Sequence, residues 1–99
     1  MIIRIVKLQL KPDAVPSFLA NFEVIKQRIR NFPGNQKLVL YQDVADSCIF
    51  FTYSFWDSEA ALNAYRQSDF FDAVWSETKL MFAGKPEAWS VNQITEVFV

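Results

Sequence analysis

Few side chains in this 99-residue sequence can do chemistry near neutral pH. It has no His and a single Cys, Cys48. A Ser-His-Asp or Cys-His triad cannot be assembled, nor a His-ligated haem, nor a zinc site of Cys and His ligands. One Cys also forbids a disulfide within the chain. Proton transfer must use a shifted carboxylate, a Tyr, a Lys or the substrate itself. What remains is a set of polar groups among large apolar ones. Arg4 is a charge on the apolar side of a strand. Its guanidinium matches a planar carboxylate or phenolate, and it equally suits an acid across an interface or a place at the sheet edge. Thr52 and Ser54 share one side of another strand, where they could orient a polar ligand or satisfy each other and water. On the same side, Phe50 and Trp56 offer flat walls to an aromatic ring. Trp56 is either such a wall or a packing residue at the strand–helix corner. Tyr65 either offers its phenol to a ligand oxygen or packs its ring and wets its tip. Trp75 belongs either to a helix core or to a pocket lining.

Two other patterns carry no function. Ser76-Glu77-Thr78-Lys79 has the Ser-x-x-Lys spacing of β-lactamase-like enzymes, but its partner motifs are absent and the chain is too short. Phe51-Thr52-Tyr53-Ser54-Phe55 alternates like an RNA-binding strand but lacks that motif's glycines and basic residue. Ten Lys+Arg against eleven Asp+Glu leave no basic footprint for phosphates. No apolar run is long enough to span a membrane. The alternating N-terminus with Arg4 and Lys7 is not expected to be a signal peptide. With a lone Cys, the expected location is cytoplasmic.

The elements that must position these residues follow from periodicity. Ile2 to Leu10 alternates and is rich in β-branched residues, a first strand. Lys11-Pro12-Asp13 stops it; Asp13 is expected to cap a helix and Pro16 to fall in its first turn. Val15, Phe18, Leu19, Phe22, Ile25 and Ile29 recur at helical spacing until Phe32-Pro33-Gly34. Lys37 to Gln42 and Cys48 to Trp56 read as strands. Asp57-Ser58 and Ser68-Asp69 read as caps of a broken helical region ending at Ala83-Gly84-Lys85-Pro86. Ala88 to Val97 closes as a fourth strand. One domain of order β-α-β-β-α-β is expected, a ferredoxin-like α+β fold with helices on one face of a four-stranded antiparallel sheet.

The composition, 52% hydrophobic and 16% aromatic, excludes disorder and exceeds what a two-layer domain this small hides easily. The third strand has one uniformly large side, Ile49, Phe51, Tyr53 and Phe55, which suits packing against helices. Its other side, Cys48, Phe50, Thr52, Ser54 and Trp56, is mixed and is expected to lie on the helix-free face. An apolar face of that size calls for a cover, most simply a second copy of the chain related by a two-fold axis. A cavity left between two such sheets would be apolar with a few polar points, like small-molecule pockets.

Phe55-Trp56-Asp57-Ser58-Glu59-Ala60-Ala61-Leu62, then Tyr65, then Ser68-Asp69-Phe70-Phe71, resembles the stretch after the third strand of antibiotic biosynthesis monooxygenase-type domains. Those domains share a Trp-acid-Ser turn, an Ala-Leu helix and a Ser/Thr break before a Phe; Pro33-Gly34 also matches. The resemblance covers nearly the whole chain. It implies a dimeric α+β barrel, with a pocket between sheet and helices in each protomer; members of the family include oxygenases that oxidise quinols or polyketide phenols without metal or flavin, haem-degrading enzymes and many proteins of no known activity. Haem-degrading relatives place Asn, Trp and a ligating His where this chain has Val6, Tyr65 and Trp75, so haem degradation is not expected. Quinol-oxidising relatives often carry a His where Phe70 stands. Cofactor-independent oxygenases pair the strand Trp with an Asn; here Trp56 is kept and Thr52 takes the Asn position.

The leading expectation is a homodimer that binds a small aromatic, phenolic or quinol-type molecule and oxygenates it without a cofactor. Arg4 or Tyr65 would stabilise the phenolate, and Phe50, Trp56 and Trp75 would clamp the ring, with Thr52 and Ser54 as polar contacts. A non-catalytic binding or sensing dimer and a purely structural self-association module are the alternatives.

Overall fold

In the computed structural model, which describes residues 1–98, the alternating segments form strands β1 (Ile2–Gln9), β2 (Asn35–Gln42), β3 (Ile49–Trp56) and β4 (Glu87–Val91). The helical segments form α1 (Val15–Arg30), α2 (Glu59–Arg66) and α3 (Asp69–Thr78). The sheet order is β2-β3-β1-β4, with every neighbouring pair antiparallel. Connections between non-adjacent strands carry α1 over one half of the sheet and α2 and α3 over the other. This is the ferredoxin-like α+β arrangement.

Local chemistry sets the boundaries. Ser58 and Ser68 cap α2 and α3, each hydroxyl accepting from the backbone N–H three residues on, Ala61 and Phe71, at 3.1 Å. Asp69 and Asp72 add negative charge to the first turn of α3. Asp13 does not cap α1. A short 3-10 turn, Pro12–Ala14, precedes the helix, closed by the Ala14 N–H donating to the Lys11 carbonyl at 2.9 Å. That turn makes Ala14 the cap residue and turns Asp13 outward to solvent. Pro16 does fall in the first turn of α1. β2 begins two residues sooner than expected, through a bulge between Asn35 and Lys37.

The fourth strand stops at Val91 rather than Val97. The antiparallel register places Val91 opposite Ile3, next to the start of β1 at Ile2, so little of β1 is left to pair with a longer β4. The chain beyond has no regular structure through Phe98, and Ile94, Val97 and Phe98 are exposed.

The two sheet faces are reversed relative to the sequence expectation. The helices cover the mixed side of β3: Leu8, Leu10, Phe18 and Phe50 form the core, with Val6, Leu40 and Trp75 packed against it. Ile49, Phe51, Tyr53 and Phe55 lie on the helix-free face, in register with Ile3 and Ile5 of β1 and Val39 and Tyr41 of β2. Alternation fixes which residues share a side, but not which side the helices take, when both are apolar. Thr52 and Ser54 are tolerated under the helices because they border a cavity rather than a sealed core.

Candidate functional site

Between the sheet and the helices lies a cavity of about 410 Å³. Its floor is the mixed sheet face, with Arg4, Val6 and Leu8 from β1 and Thr52 and Ser54 from β3. α1 supplies Phe18, Asn21, Phe22 and Ile25 at helical spacing; α3 supplies Phe71, Val74 and Trp75. α2 closes one end with Leu62, Tyr65 and Arg66. The volume falls within the roughly 300–1,000 Å³ of small-molecule pockets. An apolar cavity of about 150 Å³ already accepts benzene, so this one has room for a multi-ring molecule. A second hollow adjoins it between α1 and α3, sharing Asn21, Ile25 and Val74. There the Arg28 guanidinium lies 4.3 Å from the centre of the Phe70 ring.

Of the residues expected at a site, Arg4, Thr52, Ser54, Tyr65 and Trp75 all line this cavity. Phe50 and Trp56 do not. Both are fully buried behind its wall. Phe50 packs on Phe18, with ring centres 5.1 Å apart, deep in the core. Trp56 stacks under Tyr65 at 5.0 Å and 29° between planes, and its indole N–H donates to the Ser54 hydroxyl at 2.9 Å. Its one polar group is therefore spent inward, and Trp56 supports Tyr65 from behind.

Tyr65 is also edge-on to Phe32 at 5.1 Å and Phe71 at 5.2 Å. This aromatic cage leaves its hydroxyl without a protein hydrogen-bond partner among the described residues. Burial pushes its pKa up from 10.0 to about 12. At neutral pH it is a phenol that can donate to a ligand oxygen, not a base. Arg4 lies between Ser54 and Ser90 in the sheet register, and its Nη1 donates to the Ser90 hydroxyl at 3.0 Å. Its pKa is lowered, first by burial and then by the charge of Arg66. Among the described residues, those lining the cavity include no Asp, Glu, Lys or His.

Arg66, Asn21 and Phe71 are site residues that sequence reasoning did not single out. For Arg66 a signal exists: it lies four residues after Leu62 and one after Tyr65, on the inward side of α2. The positions of Asn21 and Phe71 depend on how α1 and α3 splay over the sheet, which spacing does not reveal. Among the described residues, no cluster of His, Cys, Asp and Glu could hold a metal ion. Nor, among the described residues, is any helix long and apolar enough to cross a membrane.

A helical layer over an antiparallel sheet, with an apolar cavity between them bearing a few polar groups, defines an α+β domain of the ferredoxin-like class. The model of the antibiotic biosynthesis monooxygenase family matches residues 1–75, and the chain belongs to that family. No curated protein sequence matches it significantly. Among solved structures, an antibiotic biosynthesis monooxygenase superposes with a TM-score of 0.88 at 18% identity, over 96% of this chain and 100% of that one. A conserved protein from Methanosarcina mazei Go1 gives 0.86 at 21% identity, over 94% and 93%. A Deinococcus radiodurans protein described as a candidate monooxygenase of this kind gives 0.88 at 13% identity, over 100% and 98%. At these identities the likeness is one of fold.

Proposed function

We propose that this protein is a homodimeric oxygenase that takes a small aromatic, phenolic or quinol-type molecule into the sheet–helix cavity. The observation that carries this reading is the lining. Phe18, Phe22, Phe71 and Trp75 supply ring surfaces, while Arg4, Thr52, Ser54 and Tyr65 supply polar contacts. An electron-rich phenol bound there as its anion can give electrons to O₂ directly. A C–O bond forms at an activated ring carbon, and loss of water from the hydroperoxide leaves a carbonyl. The protein's part is to exclude water, hold the anion and orient the ring. Arg4 stabilises the phenolate; the Tyr65 phenol donates to a ligand oxygen.

The assembly half of the proposal rests on the helix-free face. Ile3, Ile5, Phe51, Tyr53, Phe55, Trp89 and Val91 make it apolar, and a second copy would bury it symmetrically. The test of the chemistry is oxygen uptake with a panel of dihydroquinones. The expected result is consumption above the uncatalysed rate, falling in Arg4→Met.

One observation favours the alternative, a binding or sensing dimer. With no carboxylate, Lys or His lining the cavity and a Tyr held protonated, no side chain there can take a proton at neutral pH. A substrate must enter ionised or ionise beside Arg4. A ligand that raises the melting temperature without being consumed supports this reading.

A further inference from the structure

We propose that the cavity selects ligands carrying a permanent anionic group, a carboxylate on an aromatic frame, which Arg4 and Arg66 hold together. This rests on the reading of the cavity as an aromatic-ligand site and narrows its substrate class. The two guanidiniums come from separate elements, β1 and the last turn of α2, and both line the same apolar space. They are near enough for one charge to act on the other. Among the described residues the one salt bridge is Lys26–Glu23 on the exposed face of α1, so neither arginine is neutralised by an acid. The chain has eleven Asp and Glu, yet the cavity lining holds none.

Two like charges beside one apolar cavity repel, and an anion bound between them relieves that repulsion. Arg4 spends one donor on Ser90. A guanidinium carries five, so most remain for a carboxylate, which it can grip through two parallel bonds. A phenolate offers a single oxygen and forms only when the phenol loses its proton. A carboxylate offers two oxygens and is ionised throughout the neutral range. Arg66, exposed at the end of α2, lines the same cavity, and so does Thr52, whose hydroxyl can donate to the same carboxylate.

The test compares 1-naphthoate with neutral 1-naphthamide, which has nearly the same shape, by calorimetry on the full chain. The expected result is at least tenfold tighter binding of the carboxylate, with an affinity that falls as salt rises. In Arg66→Gln and Arg4→Met the ratio of carboxylate to amide affinity should shrink towards parity. Arg66 is exposed, so its variant keeps the test open should Arg4→Met fail to fold. Equal binding of the two probes, unaffected by either substitution, overturns the anion selectivity and leaves the aromatic cavity standing. Binding of neither probe overturns both.

Discussion

Ser54 is buried on the sheet face beneath the helices, and its hydroxyl accepts the only polar hydrogen of Trp56. Removing it strands an indole N–H in a place water cannot easily reach. Ser54→Ala should cost about 1–3 kcal/mol, read as a lower urea midpoint with unchanged slope. Tyr65, stacked on the same Trp56, gives a pH-dependent prediction. Its folded pKa is raised from 10.0 to about 12, so the folded state holds the phenolic proton more tightly than the unfolded chain does. The resulting stability, on the order of 2–3 kcal/mol, is fully present below pH 10 and is lost as pH rises towards 12. Tyr65→Phe should lack that component. Urea midpoints of the two proteins should therefore fall by different amounts over that window, the wild type losing more. Parallel falls would show that the phenol is not held as the cage implies.

The turn between α1 and β2 packs closely against α2. Gly34 has φ +89°, and a Cβ there would sit 2.5 Å from the Ala61 Cβ of α2. Its carbonyl also accepts from the Asp57 N–H at 2.8 Å, tying the turn to the start of α2. Gly34→Ala should cost about 1–3 kcal/mol for the backbone alone, with displacement of α2 added. Because α2 carries Tyr65 and Arg66, the variant should also bind an aromatic ligand more weakly, measurable by calorimetry on the folded fraction. The elements themselves were legible in the sequence. Period-two and helical spacing, two serine caps and Pro33-Gly34 were enough for their order. Two features were not. Both sides of β3 are apolar, so the sequence could not say that Phe50 and Trp56 face the helices; the aromatic Tyr53 side passed as core because its size suits one. And the composition of residues 92–97 favours a strand, whereas pairing needs a neighbour that β1 cannot supply past its own first residue. The cavity was half legible: Arg4, Thr52 and Ser54 stood out as polar among apolar, while Arg66 did not, because a basic residue in the last turn of a helix is an ordinary surface feature.

For the whole molecule the surface is larger than its mass predicts. It exposes 6552 Å², against about 5,800 Å² for a typical monomer of 11.5 kDa. The molecule is a slab of 38 × 37 × 22 Å, one helical layer on one sheet, so no helix or strand among the described residues covers the second face. Tyr41 and Trp89 there are 50% and 44% exposed, and Tyr41 packs edge-on to Tyr53 at 5.1 Å. Lys37 lies 5.3 Å above the Phe55 ring, covering a little of the patch and no more. Pairing two such faces would remove this area from water in both copies. We therefore expect a dimer by sedimentation at micromolar concentration. Ile5 sits near the middle of the face, opposite Tyr53 on one side and Trp89 on the other. In an isologous interface a substitution is met twice, and each buried unpaired ammonium costs several kcal/mol. Ile5→Lys should therefore sediment as single protomers while its circular dichroism stays native. Trp89→Lys, on the edge strand, should weaken the dimer with less risk to the fold. A wild-type chain that sediments alone at that concentration would mean the exposed face serves something other than a second copy.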